Sequence, residues 1–257
     1  MMGIDFNPCL NVHGLNLNVR SQIASPAFAS QTPPDKFESQ NPARFTNEAV
    51  LTKLINANPK IISILQSVNA PCKLNMKDLE TLLQNHCTDV QKIALGISEN
   101  LPFSLKAKVN EKAVSDAAYL HDIGKVLIPP EILNKNAKLD ETETKIMHKH
   151  SELGYELLKN TNLDKTTLNL IRNHHQNAKK NGYPFVNNDF RADLNLQILT
   201  MADKYSALTE KRSYKDAFTP QEALTIIYQD VKDGKLHPFI FKALVNYANS
   251  RQQVEAA

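Results

Sequence analysis

The stretch Ala117-Ala118-Tyr119-Leu120-His121-Asp122-Ile123-Gly124-Lys125 joins an apolar helical run directly to an adjacent histidine and aspartate. Imidazole nitrogen suits Zn, Fe, Mn or Ni, and a carboxylate can bridge two cations. Neighbouring side chains on a regular helix point in different directions, so the pair serves one centre only where the helix becomes irregular. Gly124 is predicted to supply that helix end. Lys125, just beyond it, is placed to reach an anion held by the cations.

The rest of the chain gains meaning around this pair. Histidines stand at 13, 86, 121, 148, 150, 174, 175 and 237, and six of these eight lie between 86 and 175. His174-His175 closes a helical run through Leu168, Leu170 and Ile171. One His-Asp pair or one double histidine is weak evidence, and only the combination has force. His148 and His150 are two apart, so on one helix they point about 200° from each other and cannot face the same cation. His13 and His237 read as loop or surface residues.

Periodicity from about residue 46 onward is helical throughout. Val50, Leu51, Leu54 and Ile55 recur at helix spacing behind Asn47, a predicted N-cap. A second helix is expected after Pro59. Another leads from Asn75 or Asp78 through Leu79, Leu82 and Leu83 past His86. Asp140 with Glu143, and Thr219-Pro220 with Glu222, have capping-box spacing. The Thr219 helix is expected to stop at Asp233-Gly234, and a last one to start after His237-Pro238. No run of β-branched residues suggests a strand after residue 46, so the predicted class is all-α.

Composition bounds the function. The chain has 257 residues and a net charge of +3, which suits a small anionic ligand better than double-stranded nucleic acid. Cys9, Cys72 and Cys87 are odd in number and widely spaced, against a disulfide framework and in keeping with a reducing cytoplasm. No apolar run is long enough to predict a membrane span, and the start lacks the pattern of a signal peptide. Residues 1–45 carry Ser25-Pro26, Thr32-Pro33-Pro34 and Asn41-Pro42 and read as a flexible, extended arm, with a short strand or hairpin expected around 9–20. Residues 46–75 are expected to form extra helices that cap the core or make a dimer contact, and 76–250 the main domain.

That domain resembles the HD-GYP phosphodiesterases, a branch of the HD-domain phosphohydrolases. Five ordered blocks carry the resemblance: YLHDIGKVLIPPE (119–131), ILNKNAKLDETE (132–143), KIMHKHSELGYELL (145–158), NHHQNAKKNGYP (173–184) and ILTMADKYSALTEKRSYKDAFTPQEAL (198–224). The resemblance implies a helical HD-domain bundle that binds two divalent metal ions, Fe or Mn favoured and Zn or Ni permitted. The implied ligands are His86, His121, Asp122 and Asp203 on one side, with Asp122 bridging to His150, His174 and His175 on the other. His150 is preferred to His148 because it holds the H-x-x-x-G position ending at Gly154. Asp122 and Lys125 would carry the chemistry. Lys125, Arg212, Gly182, Tyr183 and Pro184 would meet the substrate. The implied reaction is hydrolysis of a cyclic dinucleotide, most often cyclic di-GMP, to linear pGpG or on to GMP, with cyclic GMP-AMP within the same chemistry. A diguanylate cyclase-type signalling protein and a second copy of the chain are the partners this implies. The alternative is a catalytically weak module that binds the dinucleotide or a partner protein.

The chain departs from the family pattern at three places. Trinuclear members carry a glutamate one helical turn before the first histidine, and Leu82 stands there, with Glu80 on another face. Two metals are therefore expected, not three. Gln176 follows the double histidine where an acidic residue is usual, and Lys179-Lys180-Asn181 makes the loop more basic. Ser206 replaces the usual aspartate after Tyr205.

Overall fold

The computed structural model describes residues 41–210 and 217–255. Its helices are α1 (Glu48–Asn56), α2 (Pro59–Gln66), α3 (Met76–Leu82), α4 (Thr88–Glu99), α5 (Phe103–Lys106), α6 (Glu111–Leu120), α7 (Pro130–Leu133), α8 (Glu141–His148), α9 (His150–Leu158), α10 (Lys165–Asn173), α11 (Leu194–Thr209), α12 (Pro220–Lys232) and α13 (Pro238–Glu255). Among the described residues there is no strand, and the all-α expectation holds. The strand expected around 9–20 lies outside the described residues. The expected arm ends differently: Pro42–Thr46 form a 3₁₀ turn, because Phe45 is buried in the core.

The caps read from the sequence do their work. Asn47 accepts from the backbone N–H groups of Ala49 and Val50, and Asn75 from that of Asp78. Asp140 and Glu143 close a reciprocal capping box on α8, as Thr219 and Glu222 do on α12. Each satisfies N–H groups that the first helical turn leaves without partners.

Helices α4, α6 and α11 pack against one another, α10 lies on α6 and α9, and α13 on α4. Ala113, Ala117 and Ala118 of α6 are fully buried. Small residues there let three helices approach α6 closely, which brings their ends together near its C-terminus. The large side chains Ile97, Leu120, Ile123, Leu153 and Leu157 fill the remaining space and are almost wholly removed from water. Each such residue contributes about 1.5–3 kcal/mol of hydrophobic stabilisation.

Helices α1 and α2 lie on α9. Asn58 secures the junction. Its carbonyl oxygen caps α2 at the backbone N–H of Lys60, and its amide nitrogen donates to the backbone oxygen of Glu156 (2.8 Å) and to its carboxylate (2.9 Å).

Three local geometries differ from regular-helix expectations, and all three touch the site. Leu83–Cys87 form a π turn between α3 and α4, so a regular α-helical turn does not connect Leu82 to His86. Helix α6 ends at Leu120, before Gly124, and Ile123–Leu127 make a 3₁₀ turn. Gly124 serves a different purpose from the one predicted: an added Cβ would lie 2.0 Å from the backbone oxygen of His150 and 2.6 Å from the nitrogen of Gly154. Its missing side chain lets the 3₁₀ turn rest directly on α9. A turn at Lys149 separates α8 from α9, so His148 and His150 do not share one helix.

Candidate metal centre

The ligand positions expected from the sequence come from six places in the fold. His86 sits in the π turn, His121 caps α6, and Asp122 follows it in a bridge-region conformation (φ −98°, ψ 6°). His150 opens α9, His174 and His175 follow α10, and Asp203 lies on α11. All seven converge on one point. Their nitrogen and oxygen atoms fall into two groups: Asp122, His150, His174 and His175 form one, and His86, His121 and Asp203 the other.

Asp122 stands between the groups. Its Oδ2 lies 3.3 Å from His121 Nε2 and 3.8 Å from His86 Nε2. Its Oδ1 lies 3.3 Å from His150 Nε2 and 3.9 Å from His174 Nε2. On the first side Asp203 Oδ1 closes the set, 3.1 Å from His86 Nε2 and 3.7 Å from His121 Nε2.

The orientation of the rings is fixed from behind. Nδ1 of His121 faces the backbone oxygen of Ala118 at 2.8 Å, that of His150 faces Met147 at 2.7 Å, and that of His174 faces Ile171 at 2.8 Å. A carbonyl only accepts, so each Nδ1 carries a proton, and Nε2 is the nitrogen that presents a lone pair to the centre when the ring is neutral. His86 is held otherwise. Its Nδ1 lies 3.3 Å from Ser206 Oγ and 3.4 Å from Glu210 Oε2, and Ser206 donates to Asp89 at 2.7 Å.

These residues fit a pair of cations. Nε2 of His150 lies 3.2 Å from Nε2 of both His174 and His175. The lone pairs of His150 and His174 face each other with no proton between them, an arrangement that a cation reconciles. His121 Nε2 and Asp122 Oδ1 are buried with no hydrogen-bond partner, although buried polar atoms are nearly always paired. Coordination requires neutral imidazoles and ionised carboxylates. Burial opposes the charge on Asp122, but Lys125, His121 and His150 outweigh it and hold the carboxyl well below its usual range. Asp203 is lowered in the same way by His121 and His86. Burial pushes His150 down to about 3 and His175 to about 4, and lowers His174 strongly. His121 goes the other way: burial disfavours its charge, yet Asp122 and Asp203 carry it up to about 10.

The centre is closed on most sides. His121, Asp122, His150 and His174 are buried, while His175 retains 27% exposure, Lys125 19% and Asp203 13%. Access is therefore from the edge formed by those three. Lys125 Nζ donates to Asp122 Oδ2 at 2.6 Å.

The predicted substrate residues separate. Tyr183 stacks on His148 (ring centroids 3.7 Å apart, 13° between planes) and lies 4.5 Å from the His175 ring. Gly182 passes so close to His175 that a Cβ would meet its backbone oxygen at 1.9 Å. Gln176, buried, donates to the Pro184 oxygen at 2.5 Å and accepts from the Gly182 N–H at 3.3 Å. The Gly182-Tyr183-Pro184 turn is thus fastened to the double histidine by the residue that departs from the family pattern. Arg212 lies outside the described residues. Glu210 and Asp89, the partners of His86 and Ser206, stand at none of the ligand positions expected from the sequence. The available signal was the spacing of Asp203 and Ser206, three apart on one face of α11, with Glu210 following at its C-cap.

A helical bundle that gathers histidines and aspartates into a buried cluster able to hold metal ions has the arrangement of an HD-type protein. The chain belongs to the HD-domain family, whose description "HD domain" matches residues 63–238, beginning inside α2. The resemblance to its HD-GYP branch is borne out. A relative named "3'3'-cGAMP-specific phosphodiesterase 2", from Vibrio cholerae, is 36% identical over 52% of this chain and 26% of its own. "Cyclic di-GMP phosphodiesterase response regulator RpfG", from Xanthomonas campestris, is 37% identical over 46% of this chain and 32% of its own. The chain thus spans about a quarter to a third of these relatives' lengths. The solved structure of Bd1817, an HDG"Y"P protein from Bdellovibrio bacteriovorus, has a TM-score of 0.51 at 14% identity, covering 84% of this chain and 69% of that one, and shares the fold.

Proposed function

We propose that the chain is a metal-dependent phosphodiesterase that opens a cyclic dinucleotide, with cyclic di-GMP the first candidate, to linear pGpG or on to GMP. One observation carries this reading: the two oxygens of buried Asp122 face two different sets of imidazoles, and Oδ1 has no other partner. One cation would be held by His86, His121, Asp122 and Asp203, the other by Asp122, His150, His174 and His175. Mixed nitrogen and oxygen ligation suits Fe or Mn and admits Zn or Ni. When bound, such a pair acidifies water and neutralises charge on a phosphoryl group.

The chain's own groups divide the remaining work. Asp122 keeps both sets at fixed separation. The carbonyls of Ala118, Met147 and Ile171 hold three rings with Nε2 turned to the centre before any ligand arrives. Lys125, beside Asp122 at the open edge, offers its remaining N–H donors to a non-bridging phosphate oxygen as charge grows there. The buried walls exclude bulk water from the reacting side. Gly182, Tyr183 and Pro184 act by bracing His175 next to the substrate, and Arg212 enters on its place in the sequence. The relatives named for cyclic di-GMP and for 3'3'-cGAMP support the substrate class.

The test is metal analysis with cyclic di-GMP hydrolysis by wild type and by a His121→Ala/Asp122→Ala variant. The reading expects activity and bound metal in the first and neither in the second. Equal hydrolysis by both would end it. A metal-loaded wild type that binds the dinucleotide without cleaving it would establish the binding module instead.

A further inference from the structure

The open edge of the centre leads into a cleft with a volume of about 520 Å³. His175 and Asp203 form part of its wall, and Asn177, Asn181, Lys204 and Lys235 line it. The two lysines come from different elements. Lys204 follows Asp203 on α11. Lys235 comes after Gly234, whose φ of +69° reverses the chain at the end of α12. The backbone N–H of Lys235 then donates to the Asp230 oxygen at 2.9 Å, and its own carbonyl accepts from Ala178 beside the double histidine. Both ammonium groups contact the Asp230 carboxylate, Lys235 at 2.9 Å, and Lys235 also lies 3.4 Å from exposed Asp233. Both lysines remain about one-third exposed. An ammonium has three N–H donors. Asp230 takes only part of that capacity and keeps the two cations side by side.

We infer that this cleft seats the unreacted phosphate of the substrate, with Lys204 and Lys235 as its cationic contacts. The inference rests on the phosphodiesterase reading. A cyclic dinucleotide carries two phosphodiester groups in one covalent ring. With one at the centre, the other must lie a short distance away, and the exposed edge opens on this side. Four donor-bearing side chains line the cleft, and its two carboxylates already have partners, Asp230 in both lysines and Asp203 in His86 and His121, so donor capacity remains for an anion. Lysine contacts a phosphate as a point charge and tolerates the ring's orientation.

The test compares kcat/KM for cyclic di-GMP with that for bis(p-nitrophenyl) phosphate, a diester with a single phosphate, using the metal-loaded full chain. The Lys204→Gln/Lys235→Gln variant is expected to lower the ratio of the two values by about tenfold for each lysine removed. Asp230→Asn is expected to raise it, because it releases both ammonium groups to the ligand. A purely structural ion cluster would weaken the fold in both variants without moving the ratio in opposite directions. An unmoved ratio, or one moved the same way by both variants, overturns the inference while leaving the phosphodiesterase reading intact. Wild type cleaving neither compound overturns both. Should the double variant fail to fold, Lys235→Gln alone, on the turn after α12, carries the same comparison.

Discussion

His150 and His174 rest their outer ring nitrogens on backbone carbonyls three residues earlier, whereas His86 rests on the side chains of Ser206 and Glu210. The two sides of the centre therefore owe their order to different causes. On the His150 side, folding of α9 and α10 is enough to aim His150 and His174. On the His86 side, the π turn sends the Leu83 carbonyl to Thr88 Oγ1, leaving the ring to find side-chain partners on α11. Charge divides the sides too. Burial disfavours the charge on all five rings, but carboxylates outweigh it at His86 and His121 and raise their pKa values, whereas at His150, His174 and His175 burial prevails and lowers them. Carbonyl bracing reaches both sides, at His121 on one and at His150 and His174 on the other, so the adjustable ring is His86, held by side chains that single substitutions can remove.

Asp122→Ala gives the largest expected effect because it belongs to both sides. It should remove both cations and reduce hydrolysis by about a thousandfold or more, measured by metal content and initial rates. Retention of one cation would show that the sides do not depend on a shared carboxylate. Gly124→Ala comes next. Its Cβ meets backbone at 2.0 Å, which cannot rotate away, so α9 must shift. A loss of about 2–3 kcal/mol in urea unfolding is expected, with the His150 side losing metal first. Loss from the His86 side first would reverse the comparison.

Ser206→Ala sharpens the contrast from the other direction. Removing the outer partner of a metal-facing histidine typically weakens metal affinity about 10–100-fold. Titration with one divalent metal should show one weakened site and one unchanged. Two equally weakened sites would mean that the sides are coupled through Asp122 more strongly than their separate supports imply. Asp164→Ala is the smallest effect. Asp164 caps α10 through Thr166 and Thr167, and its loss should lower stability by about 1 kcal/mol with metal content intact. Burial opposes its charge, but those hydrogen bonds lower its pKa overall. Its contribution is thus complete above the ordinary aspartate value of about 3.9 and is lost as pH falls through the lower folded value. Thermal melting of wild type and variant against pH should converge at the acid end.

The parts legible in the sequence are those with local causes. Asn47, Asn75, Asp140 with Glu143, and Thr219 with Glu222 marked helix starts because an N-cap needs only its own next three residues. Six of the seven inward-facing groups were legible through five ordered blocks, and His86, ahead of them all, came only with the ligand set that the resemblance implies. Adjacency of His121 and Asp122 alone left their partners open. What escaped depends on tertiary contact. One extra residue in a π turn leaves the apolar pattern around His86 nearly unchanged. Gly124 owes its identity to α9, far along the chain. The meeting of Ser206 with Asp89, and of Lys204 with Lys235, depends on how α11 lies against α4 and α12.

The central claim is that Asp122 joins two sets of imidazole and carboxylate groups into a centre for a pair of cations. Metal content per chain of the purified full-length protein, by inductively coupled plasma mass spectrometry, tests it most directly. Two tightly held transition-metal ions per chain are expected, falling to one in His86→Ala and in His150→Ala. A wild-type protein that holds none, or only one, after saturation with Fe, Mn, Zn or Ni would contradict it.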